Sequence, residues 1–111
     1  MILITGPLFS GKRDAAKRLL GCDDAALARR AVCDAQELAR ERADVEALAD
    51  ELARYEVVTS AEVGGGVVPL DPRERAARER AGRLACMLAA RADAVVRVFC
   101  GIPTVIKGEL P

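Results

Sequence analysis

Near the amino end stands a run whose residue types and spacing suit one kind of chemistry: Gly6-Pro7-Leu8-Phe9-Ser10-Gly11-Lys12-Arg13. It fits G-x-x-x-x-G-K, the spacing of a phosphate-binding loop. In such a loop glycines let the backbone turn tightly around an anion, and successive N–H groups point inward. The helix that follows presents its N-terminus to the phosphate. Gly6, Ser10, Gly11, Lys12 and Arg13 are the candidate nucleotide phosphate-binding residues. Lys12, reaching the outer phosphates as a point charge, is also the first catalytic candidate.

The loop departs from its pattern at two positions. After the lysine the pattern has Ser or Thr, whose hydroxyl ligates magnesium. Arg13 stands there instead, so any magnesium site is weakened. Arg13 reads in two ways: its guanidinium takes a phosphate oxygen and replaces metal charge, or it is a solvated arginine in a first helical turn. Pro7 has no N–H and removes one donor from the cradle.

Further chemistry is offered downstream. Ala31-Val32-Cys33 is small and apolar and ends in Asp34, where a magnesium-orienting carboxylate would sit. The competing reading makes residues 24 to 54 nearly continuous helix, with Asp34 on the wet face. Glu62, just beyond an apolar run, is the second catalytic candidate, standing at a strand edge beside the loop. Gly64, Gly65 and Gly66 follow it. Three glycines let the backbone lie close to a ligand; the alternative is a linker loop. Arg73, Arg75, Arg78, Arg80 and Arg83 crowd one helix half, serving either solubility or anion binding.

These residues need strands to carry the loops and helices to cover the strands. Ile2-Leu3-Ile4 reads as a buried strand, and Gly11 to Leu20 as a helix capped by Gly21. Asp23 caps a short helix through Ala28. Gln36 to Arg54 reads as an amphipathic helix with Leu38, Val45, Leu48, Ala49 and Leu52 on one stripe. Tyr55 to Ser60 reads as a strand. Asp71-Pro72-Arg73-Glu74 opens a helix to about Arg91, buried through Ala77, Ala81, Leu84 and Leu88. Gly82 inside it implies close packing. Ala94 to Cys100 is the last long strand, Gly101-Ile102-Pro103 turns the chain, and Thr104 to Lys107 adds an edge strand. The expected fold is a three-layer α/β domain with a mostly parallel sheet of four or five strands. In open sheets of this kind ligands sit at the carboxyl ends of the strands.

Composition sets outer limits. The chain has 111 residues, suited to one domain over 1–111. Lys+Arg and Asp+Glu are both 17, which argues against nucleic acid or an anionic membrane as partner. No apolar stretch approaches the roughly 20 residues of a membrane span, and the apolar start lacks a basic leader; the expected location is cytoplasmic. There is no histidine, and Cys22, Cys33, Cys86 and Cys100 form no C-x-x-C, so zinc sites and Cys-His catalysis are disfavoured.

Two blocks carry a family resemblance. Ile2-Leu3-Ile4-Thr5-Gly6 through Ser10-Gly11-Lys12 resembles the start of the bifunctional adenosylcobinamide kinase/adenosylcobinamide-phosphate guanylyltransferase family. Val57-Val58-Thr59-Ser60-Ala61-Glu62-Val63-Gly64-Gly65-Gly66-Val67-Val68-Pro69 resembles that family's Asn-Glu-Val-Gly-x-Gly-Ile-Val-Pro segment. Arg78 and Ala81-Gly82-Arg83-Leu84 resemble its next helix. Ala92 to Val98 and Gly101-Ile102-Pro103 resemble its final strand. The resemblance implies a RecA-like P-loop nucleotide-binding fold and a place in cobalamin biosynthesis. It implies ATP or GTP as nucleotide, a corrinoid (adenosylcobinamide) as acceptor, and a homo-oligomer, trimer or dimer. It assigns Gly64, Gly65, Gly66, Arg78 and Arg83 to a second loop or substrate site. Family members phosphorylate adenosylcobinamide, then transfer a guanylyl group from GTP through a histidine. Here the middle is shorter, Arg13 replaces a serine, Ala61 replaces an asparagine, and the histidine is missing.

Overall fold

The computed structural model describes residues 1–63 and 70–111. The second-loop glycines Gly64, Gly65 and Gly66 lie outside the described residues. β1 (Ile2–Gly6) is central, parallel to β3 (Val57–Ala61) on one side and to β4 (Ala94–Phe99) on the other. β2 (Ala31–Val32) extends the parallel sheet beyond β3, and β5 (Ile102–Lys107) closes the other edge antiparallel to β4. The order is β2-β3-β1-β4-β5.

The pleat sends alternate side chains to opposite faces. Leu3, Val58 and Val95 pack with α3 (Ala35–Leu38), α4 (Val45–Leu52) and α5 (Pro72–Arg91). Ile4, Val57, Val96 and Val98 pack with α1 (Lys12–Leu20) and α2 (Asp24–Arg30). A sheet buried on both faces needs continuous apolar strands, and every residue of β3 is buried. The expected three-layer α/β fold is present, with five strands.

Four local readings are corrected. Residues 24–54 are not one helix, because β2 pairs with β3 and Asp34 takes a left-handed φ of 60°. Nor is Gln36 to Arg54 continuous. α3 ends at Leu38, and the Arg80 side chain donates to the carbonyls of Ala39 (2.8 Å) and Arg40 (2.9 Å). That satisfies acceptors a helix terminus leaves open. Asp44 then caps α4 by accepting from the Ala47 N–H at 3.0 Å. Third, β5 starts at Ile102, two residues earlier than expected. Cys100 (φ 53°) and Gly101 (φ 76°) form a two-residue turn with both φ values positive, the kind that matches strand twist. Pro103 is tolerated within β5 because that strand has one neighbour only. Fourth, among the described residues packing does not require Gly82: a Cβ there would meet Val63 Cγ2 at 3.6 Å, an ordinary contact. The short α2 carries its expected cap, Asp23 accepting from the Ala26 N–H at 2.9 Å.

Candidate functional site

The loop leaves β1 at Gly6 and enters α1 at Lys12. Gly6 has φ 152°, and a Cβ there would come within 2.2 Å of the Val98 carbonyl oxygen. Only glycine fits where the loop crosses the neighbouring strand so closely. The hairpin turn between β4 and β5 braces the far side, the Gly101 N–H donating to the Ser10 carbonyl at 2.8 Å. Ser10 is buried, and its hydroxyl has no hydrogen-bond partner among the described residues. A buried hydroxyl left without a partner is costly unless something else completes it.

Lys12 is buried at the start of α1, and its Nζ donates to the Pro7 carbonyl at 2.6 Å. Desolvation pulls its pKa below the usual lysine range, while the negative charges of Asp34 and Glu62 pull it back up. Both candidate carboxylates are thus within electrostatic reach of the lysine.

Asp34 is held by two side chains. Its N–H donates to Thr59 Oγ1 at 2.9 Å, and its Oδ1 lies 3.5 Å from Gln36 Nε2. Gln36 is buried, and its Oε1 accepts from the Ala61 N–H at 2.9 Å. This chain of bonds ties the end of β2 to the end of β3. Asp34, Thr59, Ser10, Lys12 and Phe9 line one cleft of about 410 Å³. A larger hollow of about 620 Å³ lies beyond the edge strand β2, around Arg29, Arg54 and Tyr55, away from the loop.

Glu62 sits where expected, at the carboxyl end of β3. Its N–H donates to the Gly6 carbonyl at 2.8 Å. Its carboxylate is gripped by Arg97 through two bonds, from Nε at 2.5 Å and from Nη2 at 3.2 Å. The Arg97 hydrogen bond is the main cause holding the Glu62 carboxyl below its usual range. Arg97 also lies over the Phe99 ring, 5.3 Å from its centroid.

Other candidates fall differently. Arg13 is an exposed arginine in the first turn of α1, as the second of its two readings had it, and its Nη2 donates to Asp24 Oδ1 at 3.2 Å while it borders the cleft. Arg78 lines a separate small hollow with Gln36 and Val63 on the α5 side, and Arg83 is exposed. Arg97, Gln36 and Thr59 were missed by sequence reasoning. Arg97 left one signal, as the sole charged residue in the apolar strand β4.

The donor set suits an anion better than a metal. Among the described residues no three of Asp, Glu, Cys or His gather in a metal-binding group. Asp14 and Asp34 are the carboxylates on the cleft wall, and a guanidinium stands where the loop pattern has a hydroxyl.

A mostly parallel, doubly covered sheet with such a loop between its central strand and first helix defines a three-layer α/β protein of the P-loop type. Residues 23–106 match the model of the family described as cobinamide kinase / cobinamide phosphate guanyltransferase. That is well over half of the chain, so the protein belongs to this family, as its resemblance implied. No curated protein matches the chain. The matched span includes Asp34, Glu62 and Arg97 and begins after α1, so the loop at 6–13 lies outside it. Family membership carries a kinase/transferase-like role in cobalamin biosynthesis.

Proposed function

We propose that the protein is a phosphate-binding member of this family, a single domain over 1–111 that takes the phosphates of ATP or GTP into the 6–13 loop. The observation that carries this reading is the buried Ser10 hydroxyl, without a partner among the described residues, beside Lys12 at the mouth of α1. The Gly6 and Gly11 backbone shapes the cradle, Ser10 donates its hydroxyl, and Lys12 supplies the charge. Magnesium, when bound, would screen phosphate charge; Asp34 would hold it alongside phosphate oxygens, with Arg13 contributing nothing to its coordination. Arg78, Arg83 and the Gly64, Gly65 and Gly66 segment would face an acceptor, expected to be a corrinoid. The absence of a membrane-length apolar helix among the described residues is compatible with a cytoplasmic enzyme.

The kinase half of the family chemistry is favoured over the transferase half. Guanylyl transfer through a histidine needs a residue this chain lacks. With Glu62 kept ionised by Arg97, its carboxylate is a weak general base, since efficient bases have pKa values near the working pH. Glu62 therefore acts by charge and position. The same features support a second reading, a non-catalytic nucleotide- or phosphate-binding regulatory protein or a structural subunit with a relic loop. The exposed apolar residues Ile102, Val105 and Ile106 on β5 support a homo-oligomer, a dimer or trimer. Incubation with ATP, corrinoid acceptor and radiolabelled GTP separates the readings. A phosphorylated acceptor with no label on the protein is expected; acceptor left unmodified favours the regulatory reading, and covalent nucleotide on the chain contradicts the assignment.

A further inference from the structure

The Glu62–Arg97 pair bridges β3 and β4 across the central strand. Arg97 lies opposite Thr5 in the β1–β4 register, and the Glu62 N–H is bonded to Gly6, where the loop begins. The pair therefore spans the root of the loop. Both side chains are more than one-third exposed, 41% for Arg97 and 37% for Glu62. An ion pair that wet adds little to stability, so its placement needs another reason.

Lys12 provides one. Glu62 acts electrostatically on the lysine, second to Asp34, whose carboxylate is already engaged by Gln36, and among the described residues only the Pro7 carbonyl takes a hydrogen bond from its ammonium. A carboxylate released beside a partly desolvated ammonium pairs with it, because attraction grows as water is excluded. That pairing would occupy the donors and cancel the charge an anion needs. We infer that Arg97 is a positioning residue of the phosphate site: by gripping Glu62 at both oxygens it keeps that carboxylate off Lys12 and leaves the lysine for the anion. Phe99 beneath the guanidinium steadies the grip. The inference rests on the phosphate-binding reading above and goes beyond it in giving a task to a residue outside the loop.

Calorimetric titration with inorganic pyrophosphate tests it on five forms of the full chain: wild type, Arg97→Leu, Arg97→Lys, Glu62→Gln and the Arg97→Leu/Glu62→Gln double variant. Arg97→Leu should weaken binding by about tenfold, the loss of one charge-assisted contact. The double variant should return to within about twofold of wild type, because the two residues act through one another. Arg97→Lys should bind between wild type and Arg97→Leu. Melting temperatures of the folded variants should stay together, which separates positioning from a structural role. If Arg97→Leu does not fold, Glu62→Gln alone decides, and it should bind at least as tightly as wild type; weaker binding overturns the inference. A double variant as weak as Arg97→Leu shows that Arg97 touches the anion itself and overturns the positioning role. Unchanged affinity in Arg97→Leu also overturns it while leaving the phosphate reading intact. Failure of the wild type to bind pyrophosphate removes both.

Discussion

The loop at 6–13 and the paired tips of β3 and β4 lie side by side at one end of the sheet, yet they are built by different means. The loop is held by backbone: a glycine forced by a strand carbonyl, a main-chain bond from Gly101 to Ser10, and a helix start at Lys12. The tips are held by side chains, Glu62 to Arg97 and Gln36 to Ala61, from partners 35 and 25 residues apart. Backbone shape tolerates almost no substitution, whereas a half-exposed side-chain pair is adjustable. The first suits a fixed anion cradle. The second suits tuning of the charge beside it.

That contrast is sharpest at Gly6. Gly6→Ala drives a Cβ into the Val98 carbonyl at a φ that alanine avoids, so destabilisation of about 3 kcal/mol is expected from combined clash and strain. Urea unfolding measures it; a loss below about 1 kcal/mol would show that the loop root is as adjustable as the tips. Away from the site, Gly82→Ala should stabilise by up to about 1 kcal/mol, since helical glycine is unfavourable and among the described residues the new methyl meets only Val63. A destabilised variant would mean that α5 needs the close approach after all.

The smallest effect is expected at the tips. The Glu62 carboxyl is held below its ordinary value of 4.5 by Arg97. A depressed carboxyl contributes stability that is present above its unfolded pKa and lost as pH falls through the folded one. The pair should therefore matter at pH 7 and fade below about 4.5. At its exposure the contribution stays under about 1 kcal/mol. Stability curves from pH 7 to pH 3 for wild type and Glu62→Gln should converge at the acid end; curves that stay parallel would deny the pair any share in acid sensitivity.

The same contrast explains what could be read from the chain. β1, the loop and α1 are contiguous, so spacing alone revealed them. Asp23, Asp71 and Gly21 are local caps and were legible for the same reason. Glu62 was placed correctly because a strand end following β1 in a parallel sheet falls beside the loop. Arg97 was not, because its partner lies 35 residues away, and its one local signal, a charge in an otherwise apolar strand, does not tell what it binds. The break between α3 and α4 was hidden too: Leu38 and Val45 are seven residues apart, a spacing that a continuous helix also keeps on one face, and the Arg80 side chain that satisfies the opened carbonyls comes from α5. Arg13 had two open readings, and the structure has it exposed in the first turn of α1, paired on the surface with Asp24 of the next helix.

The loop is expected to bind phosphate through Lys12 and its backbone cradle with little help from magnesium. Calorimetric titration of wild type with ATP, GTP and inorganic phosphate, once in magnesium and once in chelator, tests it most directly, with Lys12→Ala as control. Similar affinity is expected in both buffers, with a loss of about tenfold or more in Lys12→Ala, because a charge-assisted contact to phosphate contributes about 1.5–3 kcal/mol. Binding that vanishes in chelator, or that is indifferent to Lys12, would contradict it.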